Sequence, residues 1–217
     1  MSVTAAAASR YAPCGRAVYW SARSKLALDP VYAALANELA RAASVVDLGC
    51  GRGLALAVAS ASRPEGAPRP VLVGIERSGR ALAIARRALG ADASFRQADL
   101  AEAPIPRAEL VLILDVLHYL DARVQDALLD RARAALAPGG SLVVRDADAG
   151  AGARFAAVRL SERLMTLARA EPGQRFAYRS KAAWEGALTR RGLAVDATPM
   201  GAGTPFANVL LVGRDPA

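Results

Sequence analysis

The chain has 217 residues, 53% of them hydrophobic, with two cysteines and a formal charge of +8 from 28 basic and 20 acidic side chains. That length and apolar content describe one packed domain with a sizeable core, not a disordered chain. Two cysteines exclude a disulfide framework, and no apolar run reaches the ~18 residues that a bilayer crossing needs.

Residues 1–28 read as an arm rather than a core element, carrying Tyr11, Tyr19, Trp20, Arg23 and Lys25. Asp29-Pro30 supplies a helix N-cap followed by proline at the first helical position. Val31, Leu35, Leu39 and Ala42 then recur at helical spacing. A strand over 44–48 leads into a helix over 54–62, and the proline-rich stretch 63–70 is a loop. The second strand, 71–75, ends at Glu76; Ser78 caps the next helix and Gly90 stops it. A weak third strand over 93–97 leads to Asp99, and a fourth over 110–114 ends at Asp115. Asp121 caps a helix whose apolar stripe is Val124, Ala127, Leu128, Ala135 and Leu136. Pro138-Gly139-Gly140 terminates that helix before a fifth strand over 141–145. A long arginine-studded helix over 152–170 and a shorter one over 180–191, with Trp184, precede two last strands, 193–198 and 207–212, joined by 199–205. Alternating strands and helices imply a parallel sheet covered on both faces.

The most informative stretch is Val45-Val46-Asp47-Leu48-Gly49-Cys50-Gly51-Arg52-Gly53. An apolar strand ends in an acid, then glycines alternate, then a helix begins. Glycine tolerates positive φ and bares the main chain to a ligand. The strand tips of an open α/β sheet are where such ligands sit. A dinucleotide fingerprint needs its third glycine where Leu54 stands, so a nicotinamide site is the weaker alternative.

The D-x-G-x-G-x-G turn resembles motif I of the class I S-adenosylmethionine-dependent methyltransferases. Further landmarks follow in order: Glu76 after strand two, Gln97-Ala98-Asp99-Leu100 after strand three, Asp115-Val116-Leu117-His118-Tyr119-Leu120 after strand four, and Ala137-Pro138-Gly139-Gly140-Ser141-Leu142 into strand five. The resemblance spans about residue 29 to the end. It implies a Rossmann-like, doubly wound α/β fold, a seven-stranded sheet of order 3-2-1-4-5-7-6 with the last strand antiparallel and helices on both faces. It also implies one domain over 29–217, an N-terminal lid over 1–28, and a substrate-covering insert at about 152–179.

The implied cofactor is S-adenosylmethionine, leaving S-adenosylhomocysteine as product, with no metal. Gly49, Gly51 and Gly53 would admit its methionine part, with Cys50 and Arg77 adjoining and Asp47 beside its ammonium. Glu76 would accept from both ribose hydroxyls, where a carboxylate is the stronger acceptor. Asp99 would accept from the adenine amino group, Leu100 would wall the ring, and Asp115 would face the transferred methyl.

His118, the sole histidine, follows the strand-four tip. Imidazole titrates near neutral pH, so it is the candidate general base for an acceptor that must lose a proton; a packing role is the alternative. Tyr119 would orient a substrate hydroxyl. Arg145 and Asp146 would hold substrate groups or cap a helix. Tyr19, Arg23 and Lys25 belong to the lid, with Arg23 or Lys25 meeting the cofactor carboxylate.

The expected reaction is O- or C-methylation of a small molecule, free or carrier-bound. A faint resemblance to a bacterial subgroup points to acyl, aryl or lipid pathways. The basic balance raises nucleic acid or an acidic carrier as partner. Its cations are nearly all arginines, however, with Lys25 and Lys181 the only lysines, and this reads as compositional bias. Asp115-Val116-Leu117-His118 also lacks the proline of base-nitrogen methylases and the Pro-Cys of cytosine C5 enzymes. RNA methylation and a non-catalytic S-adenosylmethionine-binding module stay as alternatives. With no basic stretch and apolar core near the start, no secretory signal is read, and a reducing, cytoplasmic setting is expected.

Overall fold

The computed structural model describes residues 1–64, 66–168, 174–201 and 206–216. Seven strands, β1 (Ser44–Leu48), β2 (Val71–Glu76), β3 (Ser94–Gln97), β4 (Ala108–Leu114), β5 (Leu136–Ala147), β6 (Ala194–Pro199) and β7 (Asn208–Arg214), form one sheet. Its order is β3-β2-β1-β4-β5-β7-β6, as the resemblance implies. β3, β2, β1, β4 and β5 pair in parallel, whereas β7 runs antiparallel to both β5 and β6. The winding reverses between β1 and β4, and a crevice opens at their C-terminal tips, where ligands bind in such sheets.

The central strands are buried on both faces and run nearly apolar, whereas the edge strands β3 and β6 are largely exposed. Val45, Leu110, Leu112 and Val143 point into one core, while Val46, Val111, Ile113 and Val144 point into the other. The first core is covered by α1 (Val3–Ser9), α2 (Arg16–Leu28), α3 (Pro30–Ala34), α4 (Ala36–Arg41), α5 (Leu54–Ala61) and the end of α6 (Gly79–Leu89). The second is covered by α7 (Ala122–Ala134) and α9 (Lys181–Thr189). Between them in sequence, α8 (Ala153–Ala168) packs Val158 against Ala147 and Ala207 at the crevice edge.

Local signals act as expected at most helix ends. Asp29 accepts from the amide of Val31, Ser78 from Ala81, and Asp121 from Arg123 and Val124. The helix after Asp29 is interrupted at Leu35, giving α3 and α4, yet Val31, Leu35 and Leu39 are all buried.

Three expectations are corrected. Residues 1–28 are not an arm outside the core: Ala7, Ala8, Tyr11, Ala22 and Leu26 are buried in the same core as Val45. The reason lies in α5, buried on every side from Leu54 to Ala59; such a helix needs cover on both flanks, and the small alanines of α1 supply it on the flank away from the sheet. Next, Pro138-Gly139-Gly140 does not end α7, which stops at Ala134. Leu136 already pairs with Ala108, and pairing resumes at Ser141 with Leu110, so 137–140 bulge out within β5. Finally, the buried face of α7 is Gln125, Leu128, Leu129 and Ala132; of the stripe read from sequence, Leu128, Ala135 and Leu136 are buried and Val124 and Ala127 are not. Residues 169–170 of the expected long helix, and 202–205 of the expected last loop, lie outside the described residues. Among the described residues no helix is long and apolar enough to cross a membrane.

Candidate active site

The strand tips open on a cleft of about 630 Å³, within the range of small-molecule sites. One half is lined by Gly49, Gly51, Glu76, Arg77, Asp99 and Leu100; the other by His118, Tyr119, Leu120, Val158, Phe206 and Asn208. A smaller cavity of about 200 Å³ lies beside the glycine turn, lined by Lys25, Tyr32, Asp47, Cys50, Asp115 and Arg145.

The glycine turn is tied to β2. The amides of Gly49 and Cys50 both donate to the carbonyl of Ile75, at 2.8 and 3.2 Å. A Cβ on Gly49 would stand 2.6 Å from Val116 Cγ2, at a φ of +78°, so no side chain fits there. Gly51 has open space where its Cβ would be, and the cleft meets bare main chain at that point. Gly53 stands behind the turn. It lines neither cavity; its φ of +77° starts α5, and Leu89 Cδ1 would lie 3.0 Å from a Cβ. That glycine serves the turn and the packing behind it. The Cys50 thiol lies over Gly74, and burial raises its pKa.

The acids stand at successive tips. Glu76 accepts from the amide of Gly51 through Oε2 (3.1 Å) and from Ser78 through Oε1 (2.8 Å). Asp99 accepts from the amide of Ala101 at 2.8 Å. The carbonyls of Leu100 and Ala103 are held by the Arg131 guanidinium, which fixes the loop under the cleft. Arg77 lines the same half, its carbonyl bound by Gln97. Asp47 is 3% exposed; burial, and then the charge of Glu76, push its carboxyl up to about 7. An open glycine, two cleft carboxylates and an apolar wall fit an adenosyl ligand with a ribose diol and an amino base.

Beside this half, Asp115 takes a φ of +57°, a conformation that costs a non-glycine residue free energy and persists where the surroundings demand it. Its amide donates to the carbonyl of Arg145, and its carboxylate lies 3.2 Å from Arg145 Nη1 and 3.9 Å from Lys25 Nζ. Arg145 also binds Asp29 at 2.8 Å. Burial opposes the charge on Asp29, but Arg145 and Lys25 outweigh it and hold that carboxyl below the usual range. Arg145, on the lining of the smaller cavity, is thus paired with two carboxylates of this chain. Lys25 reaches the smaller cavity. Tyr19 and Arg23 do not line either cavity: they form a surface group with Trp20, whose ring lies 5.6 Å from the Arg23 guanidinium.

In the other half, His118 and Asp146 are brought together. Asp146, 1% exposed, accepts from the His118 amide at 3.0 Å through Oδ2. Its Oδ1 lies 2.7 Å from His118 Nδ1. A carboxylate there selects the tautomer with the proton on Nδ1. The imidazole is packed among Tyr119, Phe176 and Tyr178, nearly parallel to the last at 15°. Gln125, fully buried on α7, was not singled out in the sequence. Its amide donates to the carbonyls of Leu117, Leu120 and Ala177, and the signal for it was a polar residue in register with the apolar face. Val158, Ser161 and Gln174, from the segment expected to cover substrate, also line the cleft, as does Phe206, which was not singled out.

Comparison with known proteins agrees with this geometry. A family model for a methyltransferase domain matches residues 19–198. Trans-aconitate 2-methyltransferase of Methylobacterium nodulans is 41% identical over 111 residues, 51% of this chain and 40% of that protein. The structure of the mitomycin 7-O-methyltransferase MmcR superposes with a TM-score of 0.66 at 27% identity, over 91% of this chain and 56% of that one. That of the magnesium protoporphyrin IX methyltransferase of Synechocystis, solved with S-adenosylhomocysteine, gives 0.63 at 19% identity, over 92% and 88%. This chain thus spans about two fifths of the curated relative and just over half of the mitomycin enzyme. With its matching domain, strand order and cleft, the chain belongs to the class I S-adenosylmethionine-dependent methyltransferases.

Proposed function

We propose that this protein methylates an oxygen atom of a small molecule seated beside His118. The observation that carries the reading is the buried His118–Asp146 pair at the rim of the cleft whose other half carries Gly51, Glu76 and Asp99. When bound, S-adenosylmethionine supplies a methyl group already activated on a sulfonium. The chain has to align the acceptor, exclude water and accept a proton. His118 takes the proton, and Asp146 orients the ring and balances the imidazolium. Val158, Ser161 and Gln174, from the segment expected to cover substrate, wall the cleft together with Phe206. Lys25, at the end of α2, supports a capping role for the N-terminal helices. Relatives named for trans-aconitate and for an oxygen of mitomycin support a small acceptor over RNA. Free cysteines, Cys14 half-buried and Cys50 buried, fit a reducing cytoplasm.

The test is S-adenosylhomocysteine formation by the wild type and His118→Ala, alongside calorimetric titration of each with S-adenosylhomocysteine. Turnover should fall about 10²–10⁴-fold while cofactor affinity is kept. Equal turnover in both proteins would remove His118 from the chemistry.

A further inference from the structure

We propose that the outer face of α2 docks the protein on the surface of an anionic lipid bilayer, a role separate from the methyl-transfer reading above. α2 turns Ala22 and Leu26 into the core. Its opposite side carries two large apolar side chains in water: Trp20 is 55% exposed and Leu28 77%. They are eight residues apart, about 12 Å along a helix axis. Ala17, Ser24 and Ala27, all exposed, surround them with small side chains. An indole standing proud of such a helix has the amphipathic ring that settles at the level of lipid headgroups.

The charge around this stripe has one sign. Residues 1–28 hold no acidic side chain, and α2 carries Arg16, Arg23 and Lys25. Arg52 joins them from the glycine turn, its guanidinium 3.2 Å from Ser21 Oγ. Lys25 lies near Asp29 and Asp115, but among the described residues Arg16, Arg23 and Arg52 form no ion pair. Each such cation is drawn to an anionic membrane surface. The Arg23 guanidinium lies 5.6 Å from the Trp20 ring, so cation and indole meet the headgroups together.

Area and charge set other occupants aside. A 13-residue helix is about 20 Å long and about 10 Å wide. Its exposed face is far below the ~800 Å² per partner of a stable protein interface, whereas a fluid surface needs no matching shape. A second copy of the chain would set these arginines against themselves. Lys25, on the same helix, lines the smaller cavity, so the docked face runs up to the ligand edge of the sheet.

The experiment measures partition of the protein into phosphatidylcholine vesicles with and without phosphatidylglycerol, by co-sedimentation and tryptophan emission. Trp184, the only other tryptophan, is fully buried, so a change in emission reports Trp20. Anionic vesicles should bind the protein and move its emission to shorter wavelength, with binding falling as salt rises. Neutral vesicles should bind about tenfold or more weakly. Arg16→Ala combined with Arg23→Ala should weaken partition about 30-fold, the worth of two cations at an anionic surface. Trp20→Ala should abolish the emission shift. All three side chains are exposed, so these variants should melt as the wild type does. Equal binding to neutral vesicles, no binding to anionic ones, or full partition of the double variant overturns the proposal. An emission shift with soluble polyglutamate but not with vesicles assigns the face to an acidic protein and overturns it as well.

Discussion

The phenol of Tyr11 donates a hydrogen bond to the main-chain carbonyl of Arg52, 2.8 Å away. Arg52 lies between Gly51 and Gly53, so the N-terminal helices hold the back of the turn that lines the cleft. Burial raises the pKa of this phenol and keeps it protonated as a donor. Tyr11→Phe should cost about 1 kcal/mol, or roughly 2–4 °C in Tm, and weaken S-adenosylhomocysteine binding severalfold. Calorimetry reads both; a lowered Tm at unchanged affinity would assign Tyr11 to the fold alone.

Glu76 is expected to serve both the turn and the ligand. Its two oxygens already accept from Gly51 and Ser78, and each has a further lone pair for a diol. Glu76→Ala should lower cofactor affinity about 10- to 100-fold, the worth of hydrogen bonds to a charged acceptor. Titration calorimetry with S-adenosylhomocysteine measures it, and unchanged affinity would remove the ribose assignment.

Asp146→Asn tests the pairing at His118. Oδ1 serves the His118 ring and accepts from the amide of Ala147 at 2.7 Å, while Oδ2 accepts from the amide of His118. An asparagine must turn its NH₂ toward one of these donors. Methyl transfer to a hydroxyl acceptor should fall about 10²–10⁴-fold, with the rising limb of the pH–rate profile flattened. A profile of unchanged shape would show that this pair does not govern proton removal.

Gln125 is a positioning residue for the His118 turn. Its amide nitrogen reaches three carbonyls at 2.7–3.1 Å, joining 117–120 to the neighbouring Ala177. Gln125→Leu leaves those acceptors without this donor and should cost about 1–3 kcal/mol of stability. It should lower kcat more than it raises the acceptor KM. Loss of stability with kcat intact would confine Gln125 to folding.

Asp47 makes stability depend on pH in a predictable direction. Burial raises its folded carboxyl to about 7, against about 3.9 in an unfolded chain. Between those values the folded state holds the extra proton, so stability falls as pH rises through the window and levels off above 7. Asp47→Asn should flatten that slope and raise the Tm of the ligand-free protein at pH 8 by about 2–4 °C, read by scanning calorimetry across pH. An unchanged slope would mean that another group carries the dependence.

Much of the fold was legible because its signals are local. Buried strands show as apolar runs at 71–75 and 110–114, caps at Asp29, Ser78 and Asp121 satisfy amides two or three residues on, and the glycine turn announces bare backbone. The position of Gly51, Glu76, Asp99 and Asp115 on the cleft lining was legible for the same reason, since each stands at or just after a strand end.

What the sequence by itself determined was the alternation of elements, the acids at the strand tips and the one imidazole. Tertiary structure alone decided how these are used. It turned residues 1–28 into cover for α5, set Leu89 against Gly53, paired Arg145 with Asp29 and Asp115, and set Asp146 against His118 across 28 residues of chain. The physical reason is range. Backbone propensity and capping act over a few residues, whereas ion pairing and desolvation depend on which distant groups the sheet order brings within a few ångströms, and no local pattern records that.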